Sequence, residues 1–139
     1  MDNFSHKTFP MPGLDPAEPV VDRARLSELG QMATPAESDA LLRELLALYR
    51  AEAVPHLARL AAAWRAGDAH GARREAHYLA GSSANLGLAR LAAGWRELEA
   101  LAGDGRLPVF THFAEMLEAR LREACAAYEQ TVAELSGGR

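Results

Sequence analysis

The stretch that decides the fold is residues 34–67, TPAESDALLRELLALYRAEAVPHLARLAAAWRAG. Its large side chains recur at helical spacing, which predicts one long amphipathic helix. They are Leu41, Leu42, Leu45, Leu48, Tyr49, Leu57, Leu60 and Trp64. Thr34 to Glu37 has the form of a capping box with proline at the first helical position, so we expect the helix to begin there. Pro55 removes one backbone donor, but the apolar phase continues across it, and a kinked helix is expected.

Further helices are predicted on both sides of this run. A short one should follow Asp22 and end near Gly30, a third should run from Asp68 to Gly87, and a fourth should span residues 89–102. The last helix has the most regular apolar period, at Phe110, Phe113, Leu117, Leu121, Ala124, Tyr128 and Leu135. Four long helices with short connections predict an all-α protein, an up-down-up-down antiparallel four-helix bundle with a short additional N-terminal helix.

Composition supports a single helical domain. Apolar residues make up 49% of the 139 residues, whereas aromatic residues make up only 6%. Residues 1–19 carry four prolines and are predicted to be a flexible N-terminal tail, which leaves residues 20–139 for the bundle domain. A net charge of −4 argues against nucleic-acid binding, and no apolar run is long enough to span a membrane. The single cysteine, Cys125, favours a cytoplasmic location.

The third predicted helix contains the candidate functional residue. Residues 76–87 read AHYLAGSSANLG and place His77 one turn before Gly81. The helical phase turns Ala72, Ala76, Leu79, Ser83 and Leu86 toward the core. The same phase places seven residues on the solvent side of the helix: His70, Arg73, Arg74, His77, Ala80, Gly81 and Ala84. An exposed neutral imidazole offers one basic nitrogen as a nucleophile, and glycine leaves room for an approaching molecule.

The helical positions of two glutamates, Glu99 and Glu75, indicate whether they can lie near His77 or reach solvent. Glu99 lies at the edge of the apolar stripe of the fourth helix, where it could hold one imidazole nitrogen and leave the other free. The alternative for Glu99 is an ordinary rim carboxylate in a surface salt bridge. Glu75 has an angle nearer the buried side, but we expect it to reach solvent because it lies early in its helix.

Residues 77–87 resemble the phosphorylation motif of histidine phosphotransfer (HPt) domains, His-x-Leu-Lys-Gly-Ser-Ser-x-x-Leu-Gly. The matching positions are His77, Leu79, Gly81, Ser82, Ser83, Leu86 and Gly87. The resemblance extends from about residue 22 to residue 135. It implies a phosphorelay intermediate in which His77 accepts a phosphoryl group from a receiver-domain aspartate, or from a kinase, and passes it to a response-regulator receiver aspartate. It also implies that Glu99 orients His77 and that Gly81 gives access.

The resemblance further implies a phosphoryl-group carrier rather than an enzyme, without an ATP site or cofactor of its own. The Mg²⁺ is supplied by the partner receiver domain. The implied partners are response-regulator receiver domains and a hybrid sensor histidine kinase, and we expect a monomer. The sequence departs from the motif at Ala80, where the family usually has lysine, and Arg73 is the nearest candidate to compensate phosphate charge.

Two other interpretations stay open at this point. The first is a non-phosphorylated helical interaction module that binds a two-component signalling partner, which the missing lysine at Ala80 would suit. The second is a metal site using His56, His70, His77 or His112, although the Glu-x-x-His spacing of bundle metal sites is absent. No P-loop, dinucleotide-binding loop or nucleophilic triad is visible in the sequence.

Overall fold

The computed structural model describes residues 18–137, and within this range it contains five helices and no strand. They are α1 (Arg23–Gly30), α2 (Ser38–Arg65), α3 (Ala69–Asn85), α4 (Ala89–Gly103) and α5 (Phe113–Gly137). The prediction of a four-helix bundle with a short N-terminal helix is confirmed. Within the described range, no helix is long and apolar enough to cross a membrane. Residues 1–17 of the predicted tail lie outside the described residues, and the carbonyl of Glu18 accepts a hydrogen bond from Arg90 at 2.7 Å.

Aspartate side chains start two of the helices as predicted. Asp22 accepts a hydrogen bond from the backbone N–H of Arg25 at 3.1 Å, and Asp68 accepts one from Gly71 at 2.9 Å. Each carboxylate satisfies a donor in the first turn, where the helix itself offers no acceptor. These two starts need only local sequence, which is why they could be predicted.

The start of α2 and the start of α5 differ from the prediction. Glu37 donates its backbone N–H to Thr34 at 2.9 Å in a separate turn and makes no capping bond with its side chain, so the predicted capping box is wrong. α2 therefore begins at Ser38. Phe110 lies outside α5 because His112 has a φ of 54°, a left-handed conformation that interrupts a helix.

The packing places α3 in the middle of the bundle. α3 packs against α2 on one side and most extensively against α4 on the other, while α5 packs mainly against α2. α2 is one helix through Pro55. Tyr128 of α5 donates its hydroxyl to the carbonyl of Leu42 at 2.8 Å, which joins α5 to α2 in the core. Leu48, predicted in the apolar stripe, is 59% exposed because it lies about 100–160° around the helix from each of the buried residues Leu42, Leu46, Tyr49 and Ala53.

Candidate functional site

His77 projects from the solvent side of α3, with 76% of its side chain exposed. The opposite side of α3 supplies its buried stripe, which contains Ala72, Ala76, Leu79 and Ser83. The inward phase that the sequence predicted is therefore observed for each of these residues. Burial of the stripe fixes the rotation of α3 about its axis, and this rotation presents His77 to solvent.

Glu99 of α4 holds one nitrogen of the His77 ring. The Nδ1 atom of His77 lies 2.8 Å from Oε2 of Glu99, and the Glu99 side chain is 23% exposed. A carboxylate accepts hydrogen bonds, so this contact favours the tautomer that carries its proton on Nδ1. The other nitrogen, Nε2, is then unprotonated and can act as a nucleophile. The predicted orienting role of Glu99 has the geometry it requires and stays a prediction.

Gly81, one turn beyond His77, leaves open space on the same face. It is exposed, and a Cβ atom added there would meet no heavy atom of residues 18–137 within 4 Å. Packing inside this chain therefore does not require a glycine at this position. The predicted role of Gly81 in access for a partner molecule is compatible with this surface and is not tested by it.

The prediction that Ala80 faces outward is wrong. Ala80 is buried, with 3% exposure, and Ala84 is partly buried, whereas His70, Arg73 and Arg74 are exposed. The physical reason is that α3 packs against both α2 and α4, so its buried surface is wider than the predicted stripe and includes position 80. A helix that packs against two neighbours buries a wider face than its apolar period alone indicates.

Arg73 extends across the interface to the far end of α4. Its Nε and Cδ atoms lie 3.5 and 3.6 Å from the point where a Cβ of Gly103 would stand. Arg73 also borders a depression of about 390 Å³ together with Arg96, Glu99, Gly103 and Asp104. The predicted contribution of Arg73 to charge compensation is not tested by this placement and stays a prediction.

A second histidine–carboxylate pair lies between α2 and α3. Glu75 is only 8% exposed, so the expectation that it reaches solvent is wrong, and its Oε1 lies 2.6 Å from Nδ1 of His56. Arg59 lies 3.5 Å from the other Glu75 oxygen. The His56 ring stacks on Tyr78 at 3.8 Å, and the Tyr78 hydroxyl donates to Glu52. The inward phase of Glu75 was the signal in the sequence, but its partners on α2 could not be identified from it.

The histidines considered for a metal site do not converge. His77 pairs with Glu99 and His56 pairs with Glu75, on different sides of α3. In the part of the chain that the structure describes, no group of three or more histidine, cysteine, aspartate or glutamate side chains could hold a metal ion.

Fold and site together define a helical bundle that presents a carboxylate-bound histidine to solvent from a middle helix. The chain belongs to the Hpt domain family, whose profile matches residues 44–134, well over half of its length. The crystal structure of histidine-containing phosphotransfer protein B (HptB) from Pseudomonas aeruginosa PAO1 is similar, with a TM-score of 0.67 and 28% sequence identity. The match covers 84% of this chain and 96% of that chain. No curated protein matches the sequence. These findings support histidine phosphotransfer in a two-component phosphorelay.

Proposed function

We propose that His77 is the phosphoryl acceptor of this chain, and that it receives the group from a receiver-domain aspartate, or from a kinase, and passes it to a response-regulator receiver aspartate. The observation that carries the proposal is the 2.8 Å contact of Nδ1 with Glu99 on a side chain that is 76% exposed. One nitrogen is held by the protein, and the other faces a surface that a second protein can reach.

The chemistry of one transfer follows from this tautomer. The lone pair on Nε2 of His77 forms a bond to phosphorus while the bond from phosphorus to the aspartyl oxygen breaks, and its electron pair leaves on the aspartate carboxylate. The proton on Nδ1 stays in place, so the ring becomes positively charged. Glu99 offsets this charge across the same hydrogen bond. Delivery to a second receiver is the reverse of these steps.

The partners of this exchange are response-regulator receiver domains and a hybrid sensor histidine kinase, all facing the cytoplasm. Catalytic Mg²⁺ belongs to the receiver, and the chain acts as a monomer without a cofactor or an ATP site of its own. Gly81 contributes an open surface beside His77 where a receiver can approach.

The direct test is phosphoryl transfer to His77→Gln. The purified protein is incubated with a phosphorylated receiver domain, and acid-labile phosphate on the chain is measured. We expect labelling of the wild type, none of His77→Gln, and normal labelling of His70→Gln, an exposed histidine on the same helix. Labelling of His77→Gln would contradict the proposal. If His77→Gln also leaves signalling in the cell intact, the chain is a non-phosphorylated interaction module instead.

The orienting role of Glu99 is tested separately from acceptance itself. Glu99→Ala removes the acceptor for Nδ1, whereas Glu99→Gln keeps an oxygen in the same place. We expect Glu99→Ala to slow labelling about fivefold to tenfold and Glu99→Gln to slow it less. Nitrogen chemical shifts of the His77 ring should show a mixture of tautomers only in Glu99→Ala. Unchanged tautomer populations in Glu99→Ala would show that Glu99 is only a rim carboxylate.

A further inference from the structure

The position of Ala80 leaves the acceptor site without the cation that its family usually carries there. Ala80 is 3% exposed, so this chain has a small, buried apolar side chain at that position and no positive charge. A phosphoryl group on His77 would bring about two negative charges to this surface. Positive charge beside such a group stabilises it, as in phosphoryl transfer generally. The source of that charge has to lie elsewhere.

Two exposed arginines lie one helical turn from the two members of the His77–Glu99 pair. Arg73 precedes His77 by four residues on α3, and Arg96 precedes Glu99 by three residues on α4. Residues at these spacings have Cβ atoms about 5–6 Å apart on a helix surface. Both arginines border the depression of about 390 Å³ that Glu99 also lines. The packing of α3 against α4 thus places two arginines that lie 23 positions apart in the sequence on the border of one depression.

The charges around this depression leave both arginines available for an anion. Neither Arg73 nor Arg96 takes part in an ion pair within residues 18–137. Glu99 is engaged by His77, and Asp104 is the other carboxylate that lines the depression. An arginine fork matches the oxygens of a phosphoryl group and keeps its charge at all relevant pH values.

We propose that Arg96 of α4 and Arg73 of α3 together supply the positive charge for the phosphoryl group on His77, in place of the missing lysine. This inference rests on the proposed function of His77. Sequence phase alone identified only Arg73, because the phase of α4 does not tell which of its exposed residues lie beside α3. The pair replaces one cation on the histidine helix by two cations, one from α3 and one from α4.

The test uses phosphoramidate, a small phosphoryl donor, so that no receiver is needed for loading. The full chain is loaded on His77, and the phosphoryl signal is followed by ³¹P NMR as a function of pH. In Arg96→Gln and in Arg73→Gln, we expect the pKa of the phosphoryl group to rise by roughly 0.5, because a neighbouring cation favours the doubly charged form. The double variant should show a larger rise. The control is Arg122→Gln, an exposed arginine on α5, which does not pack against α3.

Transfer to one receiver provides the second measurement. Loss of either arginine should shift the equilibrium about threefold to fivefold toward the phosphorylated receiver, and 0.5 M salt should reduce the difference from the wild type. A purely structural role would leave the ³¹P titration unchanged in folded variants. If Arg96→Gln titrates like Arg122→Gln, the proposal for Arg96 is overturned while His77 remains the acceptor. If the wild type takes up no phosphate from either donor, the proposed function fails and this inference fails with it.

Discussion

The hydroxyl groups of Tyr49 and Ser83 lie 2.7 Å apart in the buried interface between α2 and α3. Ser83 also accepts a hydrogen bond from the indole Nε1 of Trp95 on α4 at 3.0 Å, and it is fully buried. The second serine of the motif therefore joins three helices inside the core. Its position keeps α4 against α3, and α4 carries the glutamate that holds His77.

Replacing Ser83 by alanine should destabilise the bundle without removing the acceptor. Tyr49 and Trp95 would each lose their hydrogen bond to Ser83 in a buried site, so we expect the free energy of unfolding to fall by about 1–3 kcal/mol. Urea denaturation measures this loss. The control is Ser82→Ala. The Ser82 hydroxyl donates to the carbonyl of Leu79 in its own helix, so its loss should change stability by less than about 0.5 kcal/mol. Equal effects of the two variants would contradict the assignment of Ser83 as the joining residue.

Substitutions at Gly81 should affect the docking of a receiver domain without affecting the folding of the bundle. Open space surrounds a Cβ at this position, and both alanine and glutamate are better helix formers than glycine. We expect Gly81→Ala and Gly81→Glu to fold with unchanged or higher melting temperatures. Only the glutamate variant should slow phosphoryl transfer from a receiver, because its side chain has bulk and negative charge. Normal transfer by folded Gly81→Glu would place the docking surface elsewhere.

Glu75 should contribute more to stability than its neighbour in the same cluster. Glu75 is buried between α2 and α3 and contacts both His56 and Arg59, whereas Glu52 is exposed and accepts a hydrogen bond from Tyr78. We expect Glu75→Ala to lower the free energy of unfolding by about 1–3 kcal/mol and Glu52→Ala by less than about 0.5 kcal/mol. Chemical denaturation of the two variants side by side provides the comparison. A larger loss for Glu52→Ala would be incompatible with the burial of Glu75.

Two buried tyrosines should make the bundle sensitive to alkali. Burial raises the pKa of Tyr49 to about 12, and burial also raises the pKa of Tyr128 to about 12, from an ordinary value of 10.0. A raised pKa favours the neutral form in the folded state, so its stabilisation is complete below pH 10 and is lost as the pH rises toward 12. We expect each tyrosine to contribute a loss on the order of 2 kcal/mol over this interval, measured by urea denaturation at successive pH values.

The matched variant for this pH dependence is Tyr49→Phe. It should be less stable than the wild type at pH 8, because the buried Ser83 hydroxyl loses its hydrogen bond to Tyr49, and its stability should fall less between pH 10 and pH 12. Ultraviolet absorbance of tyrosinate offers an independent check. Complete ionisation of all three tyrosines near pH 10 in the folded protein would refute the prediction.

The sequence by itself determined the helices and the exposure of His77. A helical period is a local property, since each residue advances 100° and the apolar stripe defines the inner side. Leu79 and Ala76 are buried and His77 is exposed for this reason, and the starts of α1 and α3 followed from single capping aspartates. Glu99 could be selected as a candidate partner from its phase on α4.

Only the tertiary structure decided what lies across each interface. The period of α3 contains no information on how its neighbouring helices cover it, and that packing buries Ala80. The position of each helix along the bundle axis, relative to its neighbours, determines which residues meet. These positions place His56 opposite Glu75 and bring Arg96 to the depression that Arg73 borders. Packing between helices depends on the shapes of all side chains in the contact, so distances across an interface follow from the assembled bundle and not from the period of any one helix.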